Sequence, residues 1–411
     1  MKKNLVSVAA LSALLLVGTV LTSCDKDEDT PMPVQMTSSF SIENVVSAKD
    51  FVESGTFVGI GGPGVDAPVV LPGSSIKFSF SAGKGQSLMF ATMYGASKDW
   101  FFAPANPGLQ LFDANGKAMT GDVSSEIKLW DNGSKDNVTG EAEDGKIMMV
   151  PEVDASGLMK LELAFDEPSS EFTLTITNTS GGTENETPFS PGVWAISNVL
   201  GGKLLNEAPF FVEGEKTNDE ITAIAQMGDN APLSKKISDN TGIITGISPA
   251  VVVVYTGDVN PIFELNKKDA GMGLKNLAQM GDGSVLKVAL EKMDNVKKVY
   301  IAGSAAMGPG GSAEVQLESV EGDNIAYASM FGYSNDWFYA NEAAVPATFK
   351  GDATGKTALF DDGTAVSQYP GAGNRQGLFV GGSEAEDMVI MKVGDKYPVP
   401  AVNEVVKITI R

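Results

Sequence analysis

Asp99 and Asp336 each sit inside the same short cluster, Ser-x-Asp-Trp-Phe-aromatic, at 97–102 and again at 334–339. An Asp at a strand end, beside a Trp packed inward, is suited to hold a hard cation or to accept turn hydrogen bonds. The rest of the chain narrows the chemistry. It has no His, which excludes imidazole acid–base catalysis, His-based triads and His metal sites. Its single Cys, Cys24, lies near the N-terminus and has another use, described below. Carboxylates remain, either as a glycosidase-type acid pair or as oxygen ligands for calcium. The Gly-rich runs 308–311 and 371–377 lack the Gly-Lys-Ser/Thr and strand-then-helix setting of a phosphate cradle, and they read as turns. The Met-rich stretches before each Asp-Trp cluster read as core strands.

The N-terminus reads as an export signal. Lys2 and Lys3 precede an apolar run from Leu5 to Val20, and Leu21-Thr22-Ser23-Cys24 has the form of a lipobox, so 1–23 is predicted to be a lipoprotein signal peptide and Cys24 the lipidation site. Residues 24–36, with Asp25, Asp27, Glu28 and Asp29 and then Pro31 and Pro33, are predicted to form a solvated acidic tether. A lipid anchor in the membrane and a place at the outer membrane or cell surface follow as expectations. The net charge of −22 repels nucleic acid and anionic lipid, so neither is an expected partner.

The elements that must position the two Asp residues are strands. Runs 38–45 and 170–178 alternate apolar with polar and β-branched residues, and 62–102 parallels 302–339 in its order of Gly/Pro turn, strand, Gly turn, strand and Asp-Trp cluster. The pattern predicts an all-β protein of two antiparallel β-sandwich domains, the second with a short helical insertion. Domain one is predicted over 37–178, a linker over 179–188, and domain two over 189–411 with its opening strand from 172. Ala-Gln-Met-Gly-Asp occurs at 225–229 and 278–282, each time closing a helical pattern, so a strand-and-helix unit reads as doubled within 190–298. Thr217 and Glu220 have capping-box spacing before the first of these helices, and Gly228 is its expected left-handed C-cap. Leu274, Leu277 and Ala278 are expected on the second, and Val285, Val288 and Ala289 on the helix after it.

In their shared order, these pieces resemble the spondin domain family: SFSIENV (39–45) or FTLTITN (172–178), SPGVW (190–194), PFFVEGE (209–215), the Pro-Gly-Gly-Ser turn (309–312), the two Asp-Trp clusters and the closing VVKITI (405–410). The resemblance covers nearly all of the mature chain. It implies β-sandwiches that bind calcium at one end and act in adhesion, not catalysis. It also implies that the ion is held by the Asp of the Asp-Trp cluster and by two acids of a later Trp-Asp-x-Gly-x-Asp/Glu segment. In domain one this gives Asp99 and Asp131, but Lys135 stands third, with Asp136 the nearest acid. Two readings follow. Either the Lys135 ammonium sits between Asp99 and Asp131 in place of the ion, or the loop shifts by one and Asp136 completes a calcium site. In domain two Asp336 is kept, and the later segment is read at 367–374, with Pro370 where the Asp belongs. The expected function is a surface lipoprotein that binds an extracellular protein or glycan, with calcium as its cofactor and no enzymatic activity; a carboxylate glycan hydrolase is the alternative.

Overall fold

Alternation decides which side of each strand faces a core. Phe40 and Ile42 of the strand Gln35–Asn44 are buried, as are Phe172, Leu174 and Ile176 of Glu171–Asn178. The computed structural model of the chain describes residues 34–63, 68–379 and 381–411. Two four-stranded and two seven-stranded antiparallel sheets pair into two sandwiches, in agreement with the expected fold class. In sandwich one, Phe80 and Phe172 of the smaller sheet meet Phe90 and Phe102 of the larger. In sandwich two, Phe40 and Ile408 meet Val252 and Tyr327.

The order in which the chain builds the sandwiches differs from the expected one. Gln35–Asn44 does not join the sheet that follows it in sequence; it lies between Ser312–Val320 and Val406–Ile410 in sandwich two. Glu171–Asn178 takes the equivalent place in sandwich one, between Ser75–Ser81 and Met159–Asp166. Sandwich one, from Phe51 to about 240, is therefore nested between the first strand of sandwich two and its continuation at 243.

Sandwich one is also permuted relative to its host. In sandwich two the chain passes from strand Ala250–Tyr255 through two helices to its edge strand Val296–Ala302. In sandwich one the matching edge strand, Phe51–Phe57, comes first and the matching helices come last. The seam is closed by hydrogen bonds instead of by chain: Phe51 N donates to Asn240 O at 3.2 Å and Gly242 N to Phe51 O at 2.9 Å. Reciprocally, the 166–171 hairpin of sandwich one stands where sandwich two has both its first strand and the C-terminus, joined by Ser39 N to Arg411 O at 2.9 Å.

The boundaries 37–178 and 189–411 are corrected accordingly, and so is the doubled unit: 192–239 supplies the strand and helices of sandwich one, and 250–290 those of sandwich two. Residues 179–188 are not a linker between domains. Ser180 and Thr187 are buried, and the Asn178 amide donates to Val70 O and Thr187 O, because this segment runs within sandwich one.

Helices cover the outer face of each large sheet, not of the second alone. Asp219–Met227 and Ala231–Asp239 bury Ile221, Ile224, Leu233 and Ile237 against Phe101 and Trp130. Leu274–Met280 and Ser284–Leu290 bury Leu274, Leu277, Leu286 and Leu290 against Val251 and Phe338. The first N-cap is Asn218, one residue past the expected Thr217, and its side chain accepts from Ile221 N at 2.8 Å. Gly228 (φ 66°) and Gly281 (φ 72°) are left-handed C-caps. The helix Ser284–Leu290 turns inward on Leu286 and Leu290, leaving Val285 and Val288 exposed. No helix among the described residues is long and apolar enough to cross a membrane. The signal peptide, Cys24 and the tether up to residue 33 lie outside the described residues, and Gln35 and Met36, expected in the tether, already belong to a strand.

Candidate functional site

Each part of the Ser-x-Asp-Trp cluster has a local task. Ser97 Oγ donates to Tyr94 O and accepts from Trp100 N; Ser334 does the same with Phe331 O and Trp337 N. The turn so fixed aims the Trp across the strand pair, where Trp100 Nε1 donates to Asp131 Oδ2 and Trp337 Nε1 to Asp361 Oδ2, each at 3.0 Å. Asp361 is thus the partner of Asp336. The stretch Leu-Phe-Asp-Asp-Gly-Thr (359–364) stands against Leu-Trp-Asp-Asn-Gly-Ser (129–134), and the segment around Pro370 lies beyond it. The shared Leu-aromatic-Asp-x-Gly-Ser/Thr was the available signal, and the sequence reading of 367–374 missed it.

In sandwich one the residues around Asp99 are saturated without a cation. Asp99 is buried; its Oδ2 accepts from Ser134 N (2.8 Å), Ser134 Oγ (3.0 Å) and Lys135 N (2.7 Å). Between Asp99 and Asp131 sits the carboxamide of Asn137, whose Nδ2 donates to Asp99 Oδ1 at 3.0 Å and Asp131 Oδ2 at 3.2 Å. Its Oδ1 accepts from Lys98 N at 2.9 Å, so flipping the amide loses all three bonds. Neither sequence reading of this loop holds. Lys135 gives its backbone N–H, and its ammonium forms no ion pair with either carboxylate among the described residues. Asp136 turns away to accept from Val138 N and Thr139 N at the solvent side. Asp99, Asp131 and Asp136 do not converge, and an N–H donor points where an ion would need oxygen; these residues do not fit calcium.

Sandwich two keeps the frame and loses the amide. Asp336 Oδ2 accepts from Thr364 N (2.7 Å), Thr364 Oγ1 (3.1 Å) and Ala365 N (2.8 Å), but Asp336 Oδ1 is buried with no hydrogen-bond partner among the described residues. Ser367 replaces Asn137, and its hydroxyl is directed to Asp361 Oδ2 at 3.1 Å. Burial, and next the Asp361 carboxylate, push Asp336 up to about 7. Glu386 is also raised, by burial and then by Asp361. Where sandwich one has two acids bridged by an amide, sandwich two has two acids and a serine hydroxyl, and no group of three acids that could hold a metal is found among the described residues.

The repeated Ala-Gln-Met-Gly-Asp motif ties the covering helix to this frame. Gln226 Nε2 donates to Ser134 Oγ at 2.9 Å, and Gln279 Nε2 to Thr364 Oγ1 at 3.0 Å. Gln279 also lines a cleft of about 770 Å³ on sandwich two, bordered by Ser248, Met280, Ala305, Met330 and Tyr333. Its described lining contains no charged side chain and is predominantly apolar. No protein-family model matches the chain, and no characterised protein is significantly similar to it in sequence.

Proposed function

We propose that the protein is a binding or adhesion module, lipid-anchored through Cys24 to the outside of a bacterial cell envelope, and that it engages its ligand through sandwich two. The observation that carries this reading is the cleft: an open, uncharged, mostly apolar concavity walled by loops at the strand ends and by the end of the helix Leu274–Met280, adjoining the Asp336 frame through Gln279. Its one aromatic wall residue, Tyr333, is buried, which leaves no exposed ring for a sugar to stack on and favours an uncharged peptide segment as the ligand.

In this reading calcium belongs to sandwich two. Asp336 and Asp361 would hold it, with Glu386 adjacent, and the ion would neutralise their mutual repulsion and stiffen the loops beside the cleft; the support is the bare Asp336 Oδ1. The test is a peptide and glycan array probed with the mature protein and with Ala305→Trp, which fills the cleft. Peptide binding lost in the variant supports the reading; glycan binding, or peptide binding indifferent to Ala305→Trp, contradicts it.

A further inference from the structure

A second acid pair lies behind the Asp336 frame, where sandwich one has neutral groups. Asn132 follows Asp131, and its Nδ2 donates to Ser134 Oγ at 2.6 Å while its Oδ1 accepts from Thr217 Oγ1. The equivalent of Asn132 is Asp362, which is fully buried and whose Oδ2 lies 3.0 Å from Thr364 Oγ1. The equivalent of Thr217 is Asp269. The preceding lysines fix this register, since Lys216 pairs with Asp144 at 2.6 Å and Lys268 with Asp387 at 2.6 Å. The two positions of a hydrogen-bonded Thr–Asn contact are therefore both Asp in sandwich two. Asp362 Oδ1, the atom that corresponds to the Asn132 acceptor, is buried without a partner among the described residues.

We propose that Asp269 and Asp362 of sandwich two bind a hard divalent cation of the calcium class, at a site separate from Asp336 and Asp361. Two carboxylates in the positions of a hydroxyl and a carbonyl cannot both stay ionised without a cation between them; otherwise one must hold a proton. Lys268 does not supply that cation, being held by Asp387, and no ion pair among the described residues reaches either acid. Asp269 is half-buried, so one side of the pair is open to solvent for entry of the ion and its waters. Its Oδ1 accepts from Gly271 N at 3.1 Å, which holds the carboxylate in place. The Thr364 hydroxyl stands between Asp362 Oδ2 and Asp336 Oδ2 and can donate to only one of them, and Asp362 Oδ1 and Asp336 Oδ1 both have no hydrogen-bond partner among the described residues.

The test is calorimetric titration of the chelator-treated mature chain with calcium chloride at pH 8, alongside melting curves. Asp269→Thr/Asp362→Asn rebuilds the neutral pair of sandwich one and should fold. The wild type is expected to bind one calcium more than this variant, which should lose that equivalent's melting shift; Asp336→Asn should retain it. Equal stoichiometry and affinity in wild type and Asp269→Thr/Asp362→Asn would overturn the proposal and, if Asp336→Asn alone abolishes binding, would leave the reading of Asp336 intact. A wild type that ignores calcium but gains stability on acidification to pH 6, with the gain absent in the double variant, would also overturn it by showing that the pair holds a proton instead.

Discussion

Asn137 satisfies Asp99 and Asp131 in sandwich one, and no amide among the described residues does so for Asp336 and Asp361. The expectation follows that Asn137→Asp gives sandwich one a cation requirement. The variant should be destabilised in chelator, by on the order of 1–3 kcal/mol for the lost donor and added repulsion, and should recover with calcium; recovery is read as a melting shift. A variant indifferent to calcium would show that the frame cannot accept an ion. The buried acids also set a pH dependence. Asp336 and Glu53 are raised to about 7 and Asp362 to about 8, mainly by burial, whereas their unfolded counterparts titrate near the usual carboxylate values. Between about pH 4 and pH 8 the folded protein therefore binds more protons than the unfolded chain, and without calcium its stability falls as pH rises through that window. Asp362→Asn removes one such group. Its stability relative to wild type should be unchanged near pH 4 and highest above pH 8; denaturant melts at the two pH values check the sign.

Among the elements, the strand Gln35–Asn44 carries the most consequence for its length. It is central in its sheet, paired on both sides, and inserts Phe40 and Ile42 into the core, at about 1.5–3 kcal/mol for each side chain. Deleting 34–46 should unfold sandwich two, and a synthetic 34–46 peptide added in trans should restore its near-UV signal. A deletion that leaves sandwich two folded would refute the pairing. This strand also shows how far the sequence could be read. Its alternation was legible, as were the likeness to Glu171–Asn178, the left-handed Gly228 and the Asp-Trp repeats. Its partners were not, because a period of two fixes which face is buried but not which strand lies alongside, and Ser312–Val320 is more than 250 residues away. The same limit hid Asp361 and Asp362: they come beside Asp336 only when the strand Thr357–Asp361 pairs with Trp337–Asn341.

At the scale of the molecule, the account is of one sandwich nested in another, with a neutral, self-satisfied frame in the inner one and an acidic frame beside an open cleft in the outer one. The chain crosses between them at 45–50 and at 240–243, side by side, where Asn198 Nδ2 donates to both Lys49 O and Gly242 O. The contact continues at 368–379 of sandwich two, where Gln368 Nε2 donates to Pro168 O and Arg375 pairs with Glu167 at 3.1 Å. Because both crossings lie at one seam, the inner sandwich can be cut out whole. The most direct measurement is therefore the melting of excised residues 47–242 beside that of the mature chain, each with calcium and with chelator. The account predicts that the excised sandwich folds, melts cooperatively and ignores calcium, while the mature chain melts higher with calcium than without. An excised sandwich that fails to fold, or that takes the calcium shift with it, would contradict the nesting or the assignment of the acidic frame.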